Sequence, residues 1–353
     1  MVNTSLTSRI DWVDYAKGIC IILVVMMHST LGVEKAAGSL SFVHHFIDWA
    51  KPFRMPDFFL ISGLFLASRI DRPWREYLDT KFVHFAYFYI LWMSLQLLSK
   101  AYGIYLDVGL HGLFSTYLTA LVEPFGTLWF IYLLAIFFVV TKLLRHLPPL
   151  LVFVVAALLE AAPIETGYLV IDEFASRFVY FFAGYWMAKH VFDFAHGVNA
   201  KASTVILAGL LIWGVANYYL VQSGLASLPG IGLILGFIGA GAVISTGVLL
   251  SKFKIAKALR YCGENSIVIY LAFFIFMAGT RESLLRYLPQ LDIGLVALLV
   301  TFVGVIGPVL LFWLTRNTKL SFLFKRPTWA KLAKPAPRWH SPNDVKQLKI
   351  KIR

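Results

Sequence analysis

Apolar runs of about membrane length alternate with short polar breaks from residue 12 to residue 315. Ten stretches fit: 12–31, 53–69, 82–100, 125–144, 149–163, 174–190, 203–222, 230–250, 264–280 and 293–315. A helix of about 20 apolar residues crosses the hydrocarbon layer, and a helix satisfies its own backbone hydrogen bonds there. The pattern predicts an all-α integral membrane protein of about ten transmembrane helices. Residues 1–315 are expected to form the membrane domain and 316–353 a basic cytoplasmic tail. Segment 149–163 is short and stops at Pro163, and 110–122 reads as an amphipathic surface helix.

Composition agrees with the pattern. Hydrophobic residues make up 59% of the chain and charged residues 14%, with a mean hydropathy of +0.74. That is too little charge for the surface of a soluble domain. The net charge of +13 would suggest nucleic acid in a soluble chain. Here the cations sit in the short loops and the tail, where they set topology. Arg9, the group Arg69, Arg72, Arg75 and Lys81, the pairs Lys142/Arg145 and Lys189/Lys201, the group Lys252 to Arg260 and the tail all fall on one side. That side is expected to be the cytoplasm, with both termini in it and no nucleic-acid partner. The tail itself reads as a topology anchor on anionic lipid.

Residues 1–17 mix Arg9 and Lys17 with Asp11 and Asp14, so the first apolar run is expected to stay as an uncleaved span. The two cysteines form no disulfide framework, and CxxC, HExxH and GxxxxGK[ST] are missing. No metal site is expected.

The first span is unusual in carrying ionisable groups. Lys17 and His28 are eleven residues apart, about 20° past three full helical turns, and Asp14 is about 40° off the same line. The three share one stripe, with His28 about 16 Å beyond Lys17. Taken singly, Lys17 also fits a snorkelling lysine and Asp14 an acid at a helix N-terminus. Together they point to a bundle interior or a wet cavity.

Further markers follow. "FRMPDFFLISGLF" places Arg54 and Asp57 beside Pro56 at a span entrance, and Ser62 and Gly63 offer a small contact surface. "GTLWFIYLL" puts Trp129 and Phe130 at span depth, and "GENSIVIYLAFF" opens a span with Glu264, Asn265 and Ser266 before Tyr270.

The ordered set resembles the acyltransferase-3 family of integral membrane O-acyltransferases, in its fucose 4-O-acetylase-like branch. Lys17-x10-His28 matches the family's Arg/Lys-x10-His. Met55, Pro56, Phe58, Phe59, Ser62 and Gly63 match its second-span block. Trp129 and Phe130 match its central pair, and Gly263, Asn265, Ser266 and Tyr270 its late block. Lys17 departs from the commoner arginine and loses a bidentate grip. Residues 271–274 are "LAFF" where a histidine often follows the tyrosine, and no soluble module is evident.

The resemblance implies a bacterial inner-membrane enzyme that moves an acyl group, acetyl by expectation, from cytoplasmic acyl-CoA to a glycan or glycolipid hydroxyl on the far side. His28 is then the general base or the acyl carrier. Lys17 and Asp14 join it as catalytic residues. Arg69, Arg72, Arg75 and Lys81 are expected to hold the phosphates of acetyl-CoA, with Trp74 stacked on adenine. Arg54, Asp57, Ser62, Trp129, Asn265 and Tyr270 are expected on the acceptor. The picture requires a water-accessible tunnel with His28 in its wall. A transporter or flippase of a lipid-linked glycan would also bury charges in a bundle, and a membrane scaffold would tolerate loss of His28. The other class of membrane O-acyltransferases relies on a later buried histidine, whereas His190 and His196 fall in a loop. Acceptor identity and oligomeric state are not written in the pattern.

Overall fold

A computed structural model describes residues 10–332, so Arg9 and the tail beyond Leu332 lie outside the described residues. The described part is helical throughout. In chain order the helices are α1 (Asp11–Ala37), α2 (His44–Trp49), α3 (Lys51–Gly63), α4 (Trp74–Leu78), α5 (His84–Ala120), α6 (Trp129–Leu143) and α7 (Pro149–Ala161). Then come α8 (Leu169–Trp186), α9 (Ala188–Ala200), α10 (Ser203–Gln222), α11 (Ile231–Phe253), α12 (Lys257–Glu264), α13 (Ser266–Tyr287) and α14 (Ile293–Thr315).

The ten expected spans fall on α1, α3, α5, α6, α7, α8, α10, α11, α13 and α14. Among the described residues seven helical stretches are long and apolar enough to cross a membrane alone. The remaining three are α3 and α7, 13 residues each, and α8, which carries Asp172, Glu173 and Arg177. Thirteen residues rise about 20 Å, less than the hydrocarbon thickness. Helix α3 tolerates this because it is not a lipid-facing element. Every residue from Phe53 to Ile61 is buried, and its neighbours are α1, α8 and α11. That enclosure is what admits Arg54, Pro56 and Asp57 into the middle of the bundle.

Close helix approach depends on two glycines at the α3–α8 crossing. Gly63 faces the Phe181 carbonyl and Gly184 the Leu60 carbonyl, so a β-carbon on either would land on backbone oxygen. This is the small-residue contact expected at Ser62–Gly63. Gly184→Val should cost about 1–3 kcal/mol or more through overpacking. It should lower the melting temperature of the detergent-solubilised protein, and an unchanged melting temperature would refute the close crossing.

Several boundaries differ from expectation. The second span stops at Gly63, not 69, and a 3-10 turn covers Ala67–Arg69. The Ile70 and Arg72 carbonyls beyond it are taken by the Lys142 ammonium at 2.6 and 2.7 Å, so they serve a loop and not a helix. The sixth span ends at Trp186, before Lys189, because a separate amphipathic helix begins at Ala188. The ninth runs on to Tyr287. The expected 110–122 helix is the end of α5, set off by a break at Gly109 with φ 69°. Helices α2, α9 and α12 were not anticipated. In α12 the signal is present: Lys257, Arg260 and Glu264 recur at helical spacing, with Cys262 and Gly263 on the buried side.

The start of α1, the 64–83 connection, the α12 region and the segment after α14 share one end of the bundle. Tyr15 donates to the Ile255 carbonyl at 2.5 Å and Arg260 pairs with Asp11 at 3.1 Å. Residues 316–332 of the expected tail dock on protein. Arg326 donates to the Asp79 carbonyl at 2.7 Å and pairs with its carboxylate at 2.9 Å. Trp92 donates to Leu323 at 2.9 Å and Arg75 to Leu332 at 3.0 Å. This end is called the basic end below.

Candidate active site

At the basic end a cavity of about 500 Å³ opens between α1, α3, α5, α6 and α13. Asp14 and Lys17 reach it from α1, as their shared stripe requires, and Ser62, Lys81, Glu264, Ser266 and Tyr270 complete its polar side-chain lining. Lys81 sits in a single π-helical turn, Asp79–Val83, just before α5. Such one-turn bulges re-aim side chains and recur at functional sites. The Lys81 ammonium lies 4.1 Å from the centre of the Phe138 ring, and the charges of Arg69 and Arg72 bear on it. Lys17 lies 5.9 Å from the Phe65 ring.

The deep wall of the cavity is aromatic. Phe58 and Phe130 stack at 4.5 Å with their planes 8° apart. The Tyr270 hydroxyl donates to the Thr127 carbonyl and accepts from the Phe130 amide at 3.1 Å, pinning the turn before α6 to α13. His28 lies beyond this wall. It is half-buried, its ring is 5.5 Å from that of Phe273, and Phe273 is 6.1 Å from Tyr270. The cavity lining does not include His28. A chain of ring contacts, Phe130 to Tyr270 to the fully buried Phe273, runs from the cavity lining to His28. Phe273 belongs to the "LAFF" stretch, so the departure from the family pattern falls beside His28 itself.

Past His28, Arg54 is the charged group whose field reaches the imidazole. Arg54 is buried and donates to the Ile47 carbonyl at 3.1 Å. Asp57 is 1% exposed, and neither carboxylate oxygen has a hydrogen-bond partner. Its charge bears on Cys20 and Tyr180. Arg54 and Asp57 are thus interior groups and do not stand at an entrance. The charges of Arg177 and Asp48 bear on Arg54. Those two residues line a second cavity, of about 520 Å³, at the opposite end. Lys51, Glu160, Glu165 and Tyr180 line it too. Tyr180 donates to Glu160 at 3.0 Å there.

Four further residues sit otherwise than expected. Trp129 packs on Phe59 at 6.2 Å, and Phe130 is the member of that pair that reaches the cavity. Asn265 turns its amide back to the Tyr261 carbonyl at 3.0 Å and closes α12, while Glu264 and Ser266 on either side line the cavity. Trp74 is 42% exposed but already carries Lys142, 5.0 Å from its ring centre. Lys142, expected as a topology lysine, is 2% exposed. It holds Trp74, Tyr77 and the Ile70 and Arg72 carbonyls together. It therefore shapes the loop that displays Arg69, Arg72 and Arg75, all three exposed. Sequence carries no sign of this, since burial of a lysine after an apolar run depends on what packs over it. Among the described residues no group of three or more His, Cys, Asp or Glu could hold a metal ion.

A membrane-embedded bundle with a charged cavity, a half-buried histidine behind it and a polar pocket at the far end defines an integral membrane acyltransferase when the chain's family is added. The model of the acyltransferase-3 domain matches residues 10–315, and the chain belongs to that family. The inner membrane protein YcfT of Escherichia coli (strain K12) is 23% identical over 358 residues, covering 90% of this chain and 96% of that protein. No solved structure matches the chain.

Proposed function

We propose that the protein moves an acetyl group from acetyl-CoA, held at the basic end, to a hydroxyl of a glycan or glycolipid held at the opposite end. The carrying observation is the placement of His28 and Arg54 between two cavities, one rimmed by Lys17 and Lys81, the other by Asp48, Glu160, Glu165 and Arg177. Cations suit the phosphates of the donor. Mixed carboxylate and guanidinium groups suit the hydroxyls of a sugar, which donate and accept. The excess of Lys and Arg at the donor end supports a cytoplasmic position for that end. The inner-membrane relative supports the same membrane for this chain.

In the direct route His28 accepts the proton of the acceptor hydroxyl as its oxygen attacks the thioester carbonyl carbon. The carbon–sulfur bond breaks, its electron pair stays on sulfur, and the thiolate recovers the proton from the imidazolium. In the two-step route the imidazole nitrogen attacks first, the carbon–sulfur bond breaks and the thiolate takes the ring N–H proton; the acceptor oxygen then attacks the acyl-imidazole, and the departing imidazole takes up the hydroxyl proton. Either route requires the thioester to pass Tyr270 and Phe273, so those rings have to move. Lys17 and Arg69, Arg72, Arg75 and Lys81 hold the donor, and Asp14 orients Lys17.

The test is to incubate membranes containing the protein with acetyl-CoA labelled in the acetyl group and to extract the glycans. Label in an extractable glycan that depends on the protein supports the reading. No label in any fraction, together with gradient-driven movement of a lipid-linked glycan, would favour the transporter instead. Lys17→Ala should raise the KM for acetyl-CoA by about 10-fold to 100-fold, the size of one lost charge-assisted contact, with kcat little changed. A fall in kcat at unchanged KM would make Lys17 something other than a donor-binding group.

A further inference from the structure

The segment after α14 makes a third cavity, of about 570 Å³, lined by Tyr87 of α5 and by Lys319, Lys325, Arg326, Trp329 and Lys331. Arg326 is committed to Asp79. Lys319, Lys325 and Lys331 are exposed and make no ion pair among the described residues. Trp329 is 80% exposed; its only ring neighbour among the described residues is Tyr87, in edge contact at 6.2 Å and 74°. Three unpaired ammonium groups around an open indole face suit a ligand that joins phosphate esters to a flat aromatic group. Ammonium groups bind phosphate as point charges, and stacking on an aromatic ring holds a base of any identity.

The position of this cavity is as informative as its lining. Arg326 fixes the segment to Asp79, two residues before Lys81, and Arg75 donates to the Leu332 carbonyl. The three lysines thereby continue the basic rim formed by Arg69, Arg72, Arg75 and Lys81 toward the cavity that holds Lys17. By contrast Trp74, the other indole of this rim, already has Lys142 against its ring.

The geometry points to residues 319–331 as the site for the phosphorylated adenosine end of the acyl donor, with Trp329 under the base and Lys319, Lys325 and Lys331 on the phosphates. This rests on the acetyl-CoA reading above and adds to it a subsite outside residues 10–315, the part the family shares. The phosphate of an acidic lipid headgroup offers the same charge without the base.

The experiment measures binding of adenosine 3′,5′-bisphosphate by calorimetry to the full chain in phosphatidylcholine nanodiscs, independently of any transfer activity. The wild-type protein should bind it. Lys319→Ala/Lys325→Ala/Lys331→Ala and, separately, Trp329→Ala should each weaken binding tenfold or more; all four positions are exposed, and an unchanged melting temperature shows that losing the Trp329 edge contact with Tyr87 leaves the fold intact. Failure of the wild-type protein to bind, or unchanged affinity in both variants, overturns the proposal. A lysine variant that binds the nucleotide normally but no longer retains phosphatidylglycerol assigns the lysines to a lipid headgroup and also overturns it. Nucleotide binding by a protein that labels no glycan would leave this site standing and remove the transferase reading instead.

Discussion

His28→Ala is expected to leave the protein folded in the membrane at normal abundance and to lower acetyl transfer by about 10²-fold to 10⁴-fold, the contribution of a positioned general base. The ring sits on α1, on the stripe that also bears Asp14 and Lys17, and packs against the ring of Phe273. Membrane abundance and melting temperature are measured beside activity, so that loss of transfer is separated from loss of fold. Donor binding should survive, because the cavity holding Lys17 and Lys81 is lined by other residues. Transfer at the wild-type rate in this variant would eliminate His28 from the chemistry. Addition of free imidazole should partly rescue the variant by standing in for the missing side chain.

The largest stability effect is expected at Asp79. Its carboxylate is 7% exposed and pairs at 2.9 Å with Arg326, itself 6% exposed, and it also accepts the Leu332 amide at 2.6 Å. Asp79→Ala would leave the guanidinium buried without its counter-charge, a loss of about 3–5 kcal/mol. Much of that penalty is the stranded charge, so Asp79→Leu with Arg326→Met should be less destabilised than Asp79→Ala alone. Thermal unfolding in detergent compares them. Equal melting temperatures for wild type and Asp79→Ala would show that the segment after α14 is not anchored by this pair.

The membrane-spanning helices were legible because an apolar run of the right length has few alternatives in lipid. The stripe of α1 was legible for the same kind of reason: helical periodicity alone places Asp14, Lys17 and His28 on one side. The ordered short motifs also led to the family that residues 10–315 match. What was misplaced lies where neighbours decide. Asn265 and Glu264 are adjacent in sequence, and which of them faces the cavity follows from the turn between α12 and α13. The same holds for Trp129 and Phe130, whose roles are set by the rotation of α6 against α3.

Periodicity and hydropathy on their own determined that this chain folds into a helical membrane bundle with an ionisable face on its first helix, since both are local properties that water and lipid read directly. Tertiary packing decided the rest. It enclosed the short α3 so that Arg54 and Asp57 became interior ionisable groups, packed Phe273 beside His28, buried Lys142 under a loop and folded residues 316–332 back onto Asp79. Those outcomes depend on contacts between segments far apart in the chain, and no window of sequence contains both partners.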